Sequence, residues 1–263
     1  MEKVLITGVS SGIGEALAKL YLQENYVVLG TSRRPPYQLI PYENFRFHRC
    51  DLSQPDAIRE LMYGPFHDAL TQGVEVAFLN AGVSGNVPGR GEDFSVDELN
   101  HVISVNVLAN KLLIDLLLSA RYRPKICVLS ASMAGVRFRG GTLPYSLSKA
   151  ALSALAGVYA AENPDVLFAV LGLCNVDTHL SRQVSFSQRT AEFPELKALQ
   201  SRALTTGYMV SPRQRANDIY SVINDCEHYG IKSGEFVDIR TVIGGTGMSG
   251  ASHSTHHPPS TRK

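Results

Sequence analysis

No excess of charge of either sign is present. Lys and Arg number 25 against 24 Asp and Glu, a formal net charge of +1 over 263 residues. A field that weak draws the chain to neither nucleic acid nor a membrane surface. Long apolar runs are missing too. Polar residues interrupt each one well before it could span a membrane. Val4-Leu5-Ile6 leads directly into a turn, not into the apolar core of a signal peptide. The four cysteines, Cys50, Cys127, Cys174 and Cys226, lie far apart and show no metal-type pairing. They read as reduced, mostly buried thiols of a cytoplasmic protein, so neither a disulfide framework nor a metal site is expected. No internal repeat is evident. What is there, 44% apolar and 19% charged residues, is the composition of a globular soluble protein. The length suits one large α/β domain or two small ones.

Short apolar runs alternate with segments of helical spacing. Strands are expected at 3–7, 26–31, 45–49, 75–79, 125–130 and 166–173, with a closing strand at 235–239. The first helix carries Ile13, Ala16, Leu17 and Leu20 on one face. A second helical stretch starts near Pro55 and is disturbed at Gly64-Pro65. Ser95-x-x-Glu98 has the form of a capping box, opening a helix towards Ser119. Further helices are expected from Tyr145 to about Ala161 and from Pro212 to Glu227. This alternation argues for a parallel, doubly wound α/β sheet, whose ligands sit beyond the carboxyl ends of the strands. Residues 178–210 lose the alternation and are expected to cover the site. The domain should occupy 1–243. The tail, 244–263, should be mobile, with His253, His256 and His257 solvated and not metal-bound.

Three stretches fall where such a sheet binds ligands. Thr7-Gly8-Val9-Ser10-Ser11-Gly12-Ile13-Gly14 joins the first strand to the first helix. Its glycines permit a tight turn and close backbone approach, and a helix N-terminus favours a pyrophosphate. Asn80-Ala81-Gly82 ends the fourth strand and Ser130-Ala131-Ser132 the fifth. Pro144 opens the helix that carries Tyr145 and Lys149, four apart and so on one face. An ammonium beside a phenol favours phenolate and should lower the tyrosine pKa, making it a proton donor or acceptor near neutrality.

The Thr-Gly-x-x-x-Gly-Ile-Gly turn, Asn80-Ala81-Gly82, Asn106, Ser132 and Tyr145-x-x-x-Lys149, in this order, resemble the classical short-chain dehydrogenase/reductase family. The resemblance covers roughly residues 3–180. It implies a single-domain, three-layer Rossmann-type fold with a seven-stranded parallel sheet and a nicotinamide cofactor. It also implies roles. Tyr145 is the acid/base. Lys149 lowers its pKa and holds the nicotinamide ribose. Ser132 bonds the substrate oxygen, and Asn106 supports a water that relays protons to Lys149. On pattern alone Ser130 competes with Ser132; the family's spacing selects Ser132. The cofactor is expected to meet Thr7, Gly8, Ser10, Ser11, Gly12, Ile13 and Gly14 at the turn, Asp51 and Leu52 beside the adenine, and Asn80, Ala81 and Gly82. Tyr145, Lys149, Val176 and Thr178 complete that set.

After the second strand stands Thr31-Ser32-Arg33-Arg34, with no acid to hold an adenosine ribose. Guanidinium groups suit a 2′-phosphate, so NADP(H) is expected over NAD(H). One departure from the family stands out: Cys174-Asn175 occupies the place of its usual Pro-Gly. Cys174 reads as a small wall residue. The expected function is an NADP-dependent oxidoreductase acting on a small carbonyl or alcohol. The alternative from another class is a nicotinamide-binding regulator or scaffold that has lost catalysis, for which a lost Tyr or Lys would be the sign. A sugar-nucleotide epimerase or dehydratase on a related fold is disfavoured by the short carboxyl-terminal region. Residues 83–89, 133–143 and 176–204 should line or cover the pocket. Phe138, Leu143 and Phe186 are candidates for an apolar wall, and Arg137 and Arg139 are expected to be exposed loop residues. A homodimer or homotetramer is expected through the long helices, with Ala150, Ala151, Ser153, Ala154, Ala156 and Gly157 allowing close approach.

Overall fold

Along the first strand, β1 (Lys3–Thr7), successive side chains enter opposite cores. Val4 and Ile6 go to one side and Leu5 to the other, as the period of a strand requires. The computed structural model describes residues 1–119 and 123–244. In it, β2 (Val27–Ser32), β3 (Phe45–Arg49), β4 (Val76–Leu79), β5 (Ile126–Ala131), β6 (Leu167–Gly172) and β7 (Phe236–Asp238) join β1 in a seven-stranded sheet of order β3-β2-β1-β4-β5-β6-β7. Every pairing is parallel. The expected Rossmann-type topology is thus present.

The connecting helices are α1 (Gly12–Gln23), α2 (Pro55–Tyr63), α3 (His67–Leu70), α4 (Val96–Ile103), α5 (Ala109–Leu117), α6 (Leu143–Glu162), α7 (His179–Ser185), α8 (Pro194–Ala203), α9 (Pro212–Asn224) and α10 (Ile239–Gly244). Leu17 and Tyr21 of α1 and Ile219 and Val222 of α9 bury against one face of the sheet. Ile58 of α2, Leu113 of α5 and Leu152 of α6 bury against the other. Each aliphatic side chain so removed from water contributes about 1.5–3 kcal/mol, which is why the two apolar faces of the sheet dictate three layers. The chain winds outward from β1 to β3, then restarts on the other side of β1 with β4. The crevice between β1 and β4 is therefore the topological switch point, where a ligand fits best.

Several boundaries differ from the sequence reading. The strands at 26–31, 166–173 and 235–239 begin or end a residue or more away from those limits, and α9 stops at Asn224, before Glu227. The capping box is half made: Ser95 accepts from the Glu98 amide at 3.1 Å, but the Glu98 carboxylate turns away to accept from Asn86 N at 2.6 Å. That bond ties α4 to the loop after β4. The long helix from 96 to 117 contains a π-helical turn, Ser104–Leu108, around Asn106. The cover at 178–210 contains α7, α8 and a short 3₁₀ turn. The four cysteines are free. Among the described residues no helix is long and apolar enough to cross a membrane. From residue 245 the expected tail, with its three histidines, lies outside the described residues.

Candidate active site

The turn after β1 is shaped by glycine where no other residue fits. Gly8 and Gly12 have φ of +80° and +64°, the left-handed region. A Cβ on Gly14 would lie 2.6 Å from Asn80 Nδ2 and closer still to the Gly8 carbonyl oxygen. The side chain of Thr7 bolts the two central strands together: its Oγ1 accepts from Asn80 N and Ala81 N, each at 3.0 Å. Asn80 Nδ2 returns a bond to Thr7 O at 3.2 Å. Ser11 stands at the N-cap of α1 but its side chain caps no amide. The first-turn N–H groups of this twelve-residue helix are left without a side-chain cap from Ser11, and such a helix N-terminus favours an anion. A glycine cradle, open amides and a helix dipole together fit a pyrophosphate.

At the other side of the crevice α6 starts with Pro144 in its first turn, and Tyr145 and Lys149 follow one turn apart. Lys149 Nζ lies 5.5 Å from the Tyr145 ring centroid and donates to Ser130 O at 2.6 Å. Ser130 Oγ is committed to Asn80 Oδ1 at 3.3 Å. Ser132, at the end of β5, instead faces the phenol of Tyr145 and accepts from Ala134 N at 3.1 Å. The two serines that pattern alone left in competition thus point to different neighbours. Asn106 is fully buried. Its side chain accepts from Val83 N at 2.8 Å and donates to Val83 O at 2.8 Å and Ser148 Oγ at 2.9 Å. Ser148 in turn donates to Tyr145 O at 2.8 Å. Sequence reasoning passed over Ser148, although it lies inside the Tyr-x-x-x-Lys spacing.

Burial pushes the Lys149 ammonium down to about 8. It also raises the Tyr145 phenol above its ordinary value, against the opposing Ser132 hydroxyl. The expected lowering of the tyrosine by its lysine is therefore corrected: loss of solvation sets the direction of the shift.

Arg33 and Arg34 follow β2, both exposed, and among the described residues neither side chain has a hydrogen bond or ion pair. Asp51 accepts from Ser53 N at 3.0 Å and Ser53 Oγ at 2.9 Å, an arrangement that holds its carboxyl below the usual range, with Arg33 and His101 facing it. Leu52 packs in the α2 side of the core. His101 was not singled out from sequence; only the packing of α4 brings it here. Beyond β6, Val176 pairs with Val210. Thr178 caps α7 through Ser181 N at 3.2 Å. A Cβ on Gly12 would meet the Thr178 methyl at 3.4 Å, so Thr178 closes over the glycine turn. Asp177, between them, is held by Arg182 at 2.5 Å.

Residues 2–187 match the model of the family described as short chain dehydrogenase. The chain belongs to the short-chain dehydrogenase family. A short-chain dehydrogenase/reductase of Stachybotrys chlorohalonatus, ATR7, is 31% identical over 160 residues, 57% of this chain and 48% of that protein. An NADPH-dependent 3-dehydrocapnine reductase of Ornithobacterium rhinotracheale is 31% identical over 167 residues, 59% of this chain and 58% of that one. The chain thus spans about half to three fifths of the length of these relatives. Among solved structures, the NADPH-bound carbonyl reductase from chicken fatty liver superposes with a TM-score of 0.71 at 18% identity, covering 91% of this chain and 97% of that one; this likeness speaks for the fold. Short-chain dehydrogenases bind nicotinamide cofactors, and the cradle between β1 and β4 fits one.

Proposed function

We propose that this short-chain dehydrogenase is an NADP(H)-dependent oxidoreductase that interconverts a small carbonyl compound and its alcohol, with Tyr145 as acid/base. The observation that carries the reading is the convergence of Tyr145, Lys149 and Ser132 beside a glycine cradle, with two exposed arginines at its far end. When bound, the nicotinamide supplies or takes up the hydride. The chain's own residues handle the proton and the developing charge. Tyr145 Oη gives its proton to the carbonyl oxygen in reduction and takes it back in oxidation. Ser132 Oγ donates to that oxygen as negative charge builds on it. Lys149 Nζ, a cation in a dry site, stabilises the phenolate left on Tyr145, and Asn106 and Ser148 hold the helices that carry both groups.

The 2′-phosphate of the cofactor is assigned to Arg33 and Arg34. The NADPH dependence printed for the Ornithobacterium relative supports that choice. Gly8, Gly12 and Gly14 with Ser10, Ser11 and Ile13 hold the pyrophosphate; Asp51 and Leu52 border the adenine; Asn80, Ala81, Gly82, Val176 and Thr178 border the nicotinamide half. The catalytic unit is residues 1–243. It associates with a second copy through the long helices, where Leu108, Leu147 and Val158 are 46–57% exposed. Of the small residues expected there, Ala156 is buried in its own chain's core and Gly157 faces the Gly234 turn, so neither is free for that contact. The test is a panel of ketones and aldehydes with NADPH, followed at the nicotinamide absorbance. Oxidation of NADPH by some of them is expected; turnover with none supports the scaffold reading.

A further inference from the structure

The exit of β6 carries two consecutive residues in the left-handed region, Cys174 at φ +32° and Asn175 at φ +51°. Asparagine tolerates that region, but cysteine does so at a cost. A flip of the peptide between them changes the ψ of Cys174 and the φ of Asn175 together, and so offers Asn175 a return to the ordinary region. Something has to block that flip, and the carbonyl oxygen of Cys174 is where a block acts.

Arg215 of α9 reaches that oxygen. It is the largest fully buried side chain among the described residues, 1% exposed, and its Nη2 donates to Cys174 O at 3.2 Å. Its Nη1 lies 3.2 Å from Asp218 Oδ2, yet among the described residues neither Nη1 nor Nε finds a hydrogen-bond partner. The ion pair is therefore charge compensation without directed bonding, and the directed bond of the guanidinium is the one to Cys174. Burying an arginine with donors unsatisfied is expensive. A pair with Asp218, three residues on along α9, needs no such depth, since the same spacing forms on any helix surface. What the depth achieves is reach to the carbonyl. The next carbonyl along is held too: Asn175 O accepts from Val210 N at 2.8 Å, and Val210 O accepts from Asp177 N at 2.9 Å. The Cys174 thiol faces the Asp238 carboxylate, Met133 N and the phenol of Tyr145, which places the turn at the reacting end of the crevice.

We propose that Arg215 is a positioning residue: its guanidinium clamps the Cys174 carbonyl, holds the left-handed turn that stands where the family has Pro-Gly, and so fixes Val176 and Thr178 against the nicotinamide half of the cofactor. The inference rests on the cofactor reading above. It predicts a split between the two halves of the cofactor that a general structural role does not produce.

The probes are NADPH and adenosine 2′,5′-bisphosphate, which lacks the nicotinamide half, each titrated calorimetrically into wild type and Arg215→Met. The variant should bind NADPH roughly tenfold more weakly, the worth of one hydrogen bond from a charged donor, and the bisphosphate as wild type does. If Arg215→Met does not fold, Arg215→Lys keeps the charge opposite Asp218 without the planar fork, and the same split is expected. Equal losses for both probes, or no loss for either, overturn the clamp while leaving the cofactor reading intact. A wild-type protein that binds neither probe overturns the cofactor reading and the clamp with it.

Discussion

Around Gly8 the crevice is closed by backbone, whereas around Cys174 it is closed by side chains. On the β1–β4 side, Thr7 and Asn80 exchange bonds with main-chain groups across the two strands, and glycine supplies the left-handed geometry. On the β6–β7 side a cysteine and an asparagine take that geometry, a buried arginine bonds the cysteine's carbonyl, and the cover beyond is tied down by exposed ion pairs. Arg189 reaches Asp93 at 2.7 Å and Glu192 at 2.9 Å, and Arg137 reaches Glu195 at 3.7 Å. The difference teaches where change is tolerated. A backbone-built cradle admits little variation, while exposed pairs on loops can be exchanged to suit a substrate.

Breaking the cradle should have the largest effect. Gly14→Ala forces a Cβ into the Gly8 carbonyl and Asn80. It should cost about 1–3 kcal/mol of stability, the usual cost of overpacking, and remove NADPH binding as followed by fluorescence. Normal binding by that variant would show the cradle to be ornamental. Lys149 gives a sharper test. Its folded pKa lies at about 8, below the ordinary 10.5, so protonated Lys149 destabilises the cofactor-free fold. Its contribution to stability, read as wild type against Lys149→Met, should rise with pH between about 8 and 10.5. The kcat/KM for the carbonyl, which needs the ammonium, should do the opposite and fall about tenfold per pH unit above that pKa. A flat profile would remove the lysine from the proton chemistry. Next in size is cofactor choice. Arg33→Ala with Arg34→Ala should weaken NADPH by roughly tenfold or more, the loss of charged hydrogen bonds worth about 1.5–3 kcal/mol, and leave NADH nearly unchanged; equal losses would detach the arginines from the 2′-phosphate. Smallest should be Arg189→Ala. It frees one tie of the cover, so limited proteolysis within 178–210 should quicken at low salt and match wild type at high salt, where the pair is screened.

Much of this architecture was legible because it rests on local pattern. Val4, Leu5 and Ile6, ending in a glycine turn, already read as a buried strand feeding a helix, and Tyr145 and Lys149 share a face at any helical spacing. The Ser130–Ser132 competition was not legible from pattern, since both lie near the end of one strand; the family's spacing chose Ser132, and the physical difference, the pairing of Ser130 with Asn80, lies fifty residues away. The same holds for Glu98, whose carboxylate looks like half of a capping box until the loop at Asn86 comes into reach. The raised phenol of Tyr145 escaped because spacing reports the neighbouring charge but not the loss of water around it. Nothing in the local pattern marks Arg215, because its partner Cys174 lies forty-one positions away in sequence. Local rules found the elements, and contacts across the sheet decided what their side chains do.

The central claim is that Tyr145 moves the proton, and Tyr145→Phe tests it most directly. The substitution removes one hydroxyl and almost no volume, so the fold and the glycine cradle should survive. NADPH binding by fluorescence and carbonyl turnover by absorbance are measured on the same preparations of wild type and variant. Binding should stay close to wild type, while turnover should fall by about 10²–10⁴-fold, the usual worth of a positioned acid/base. A Phe variant that binds NADPH and turns over at the wild-type rate contradicts the account.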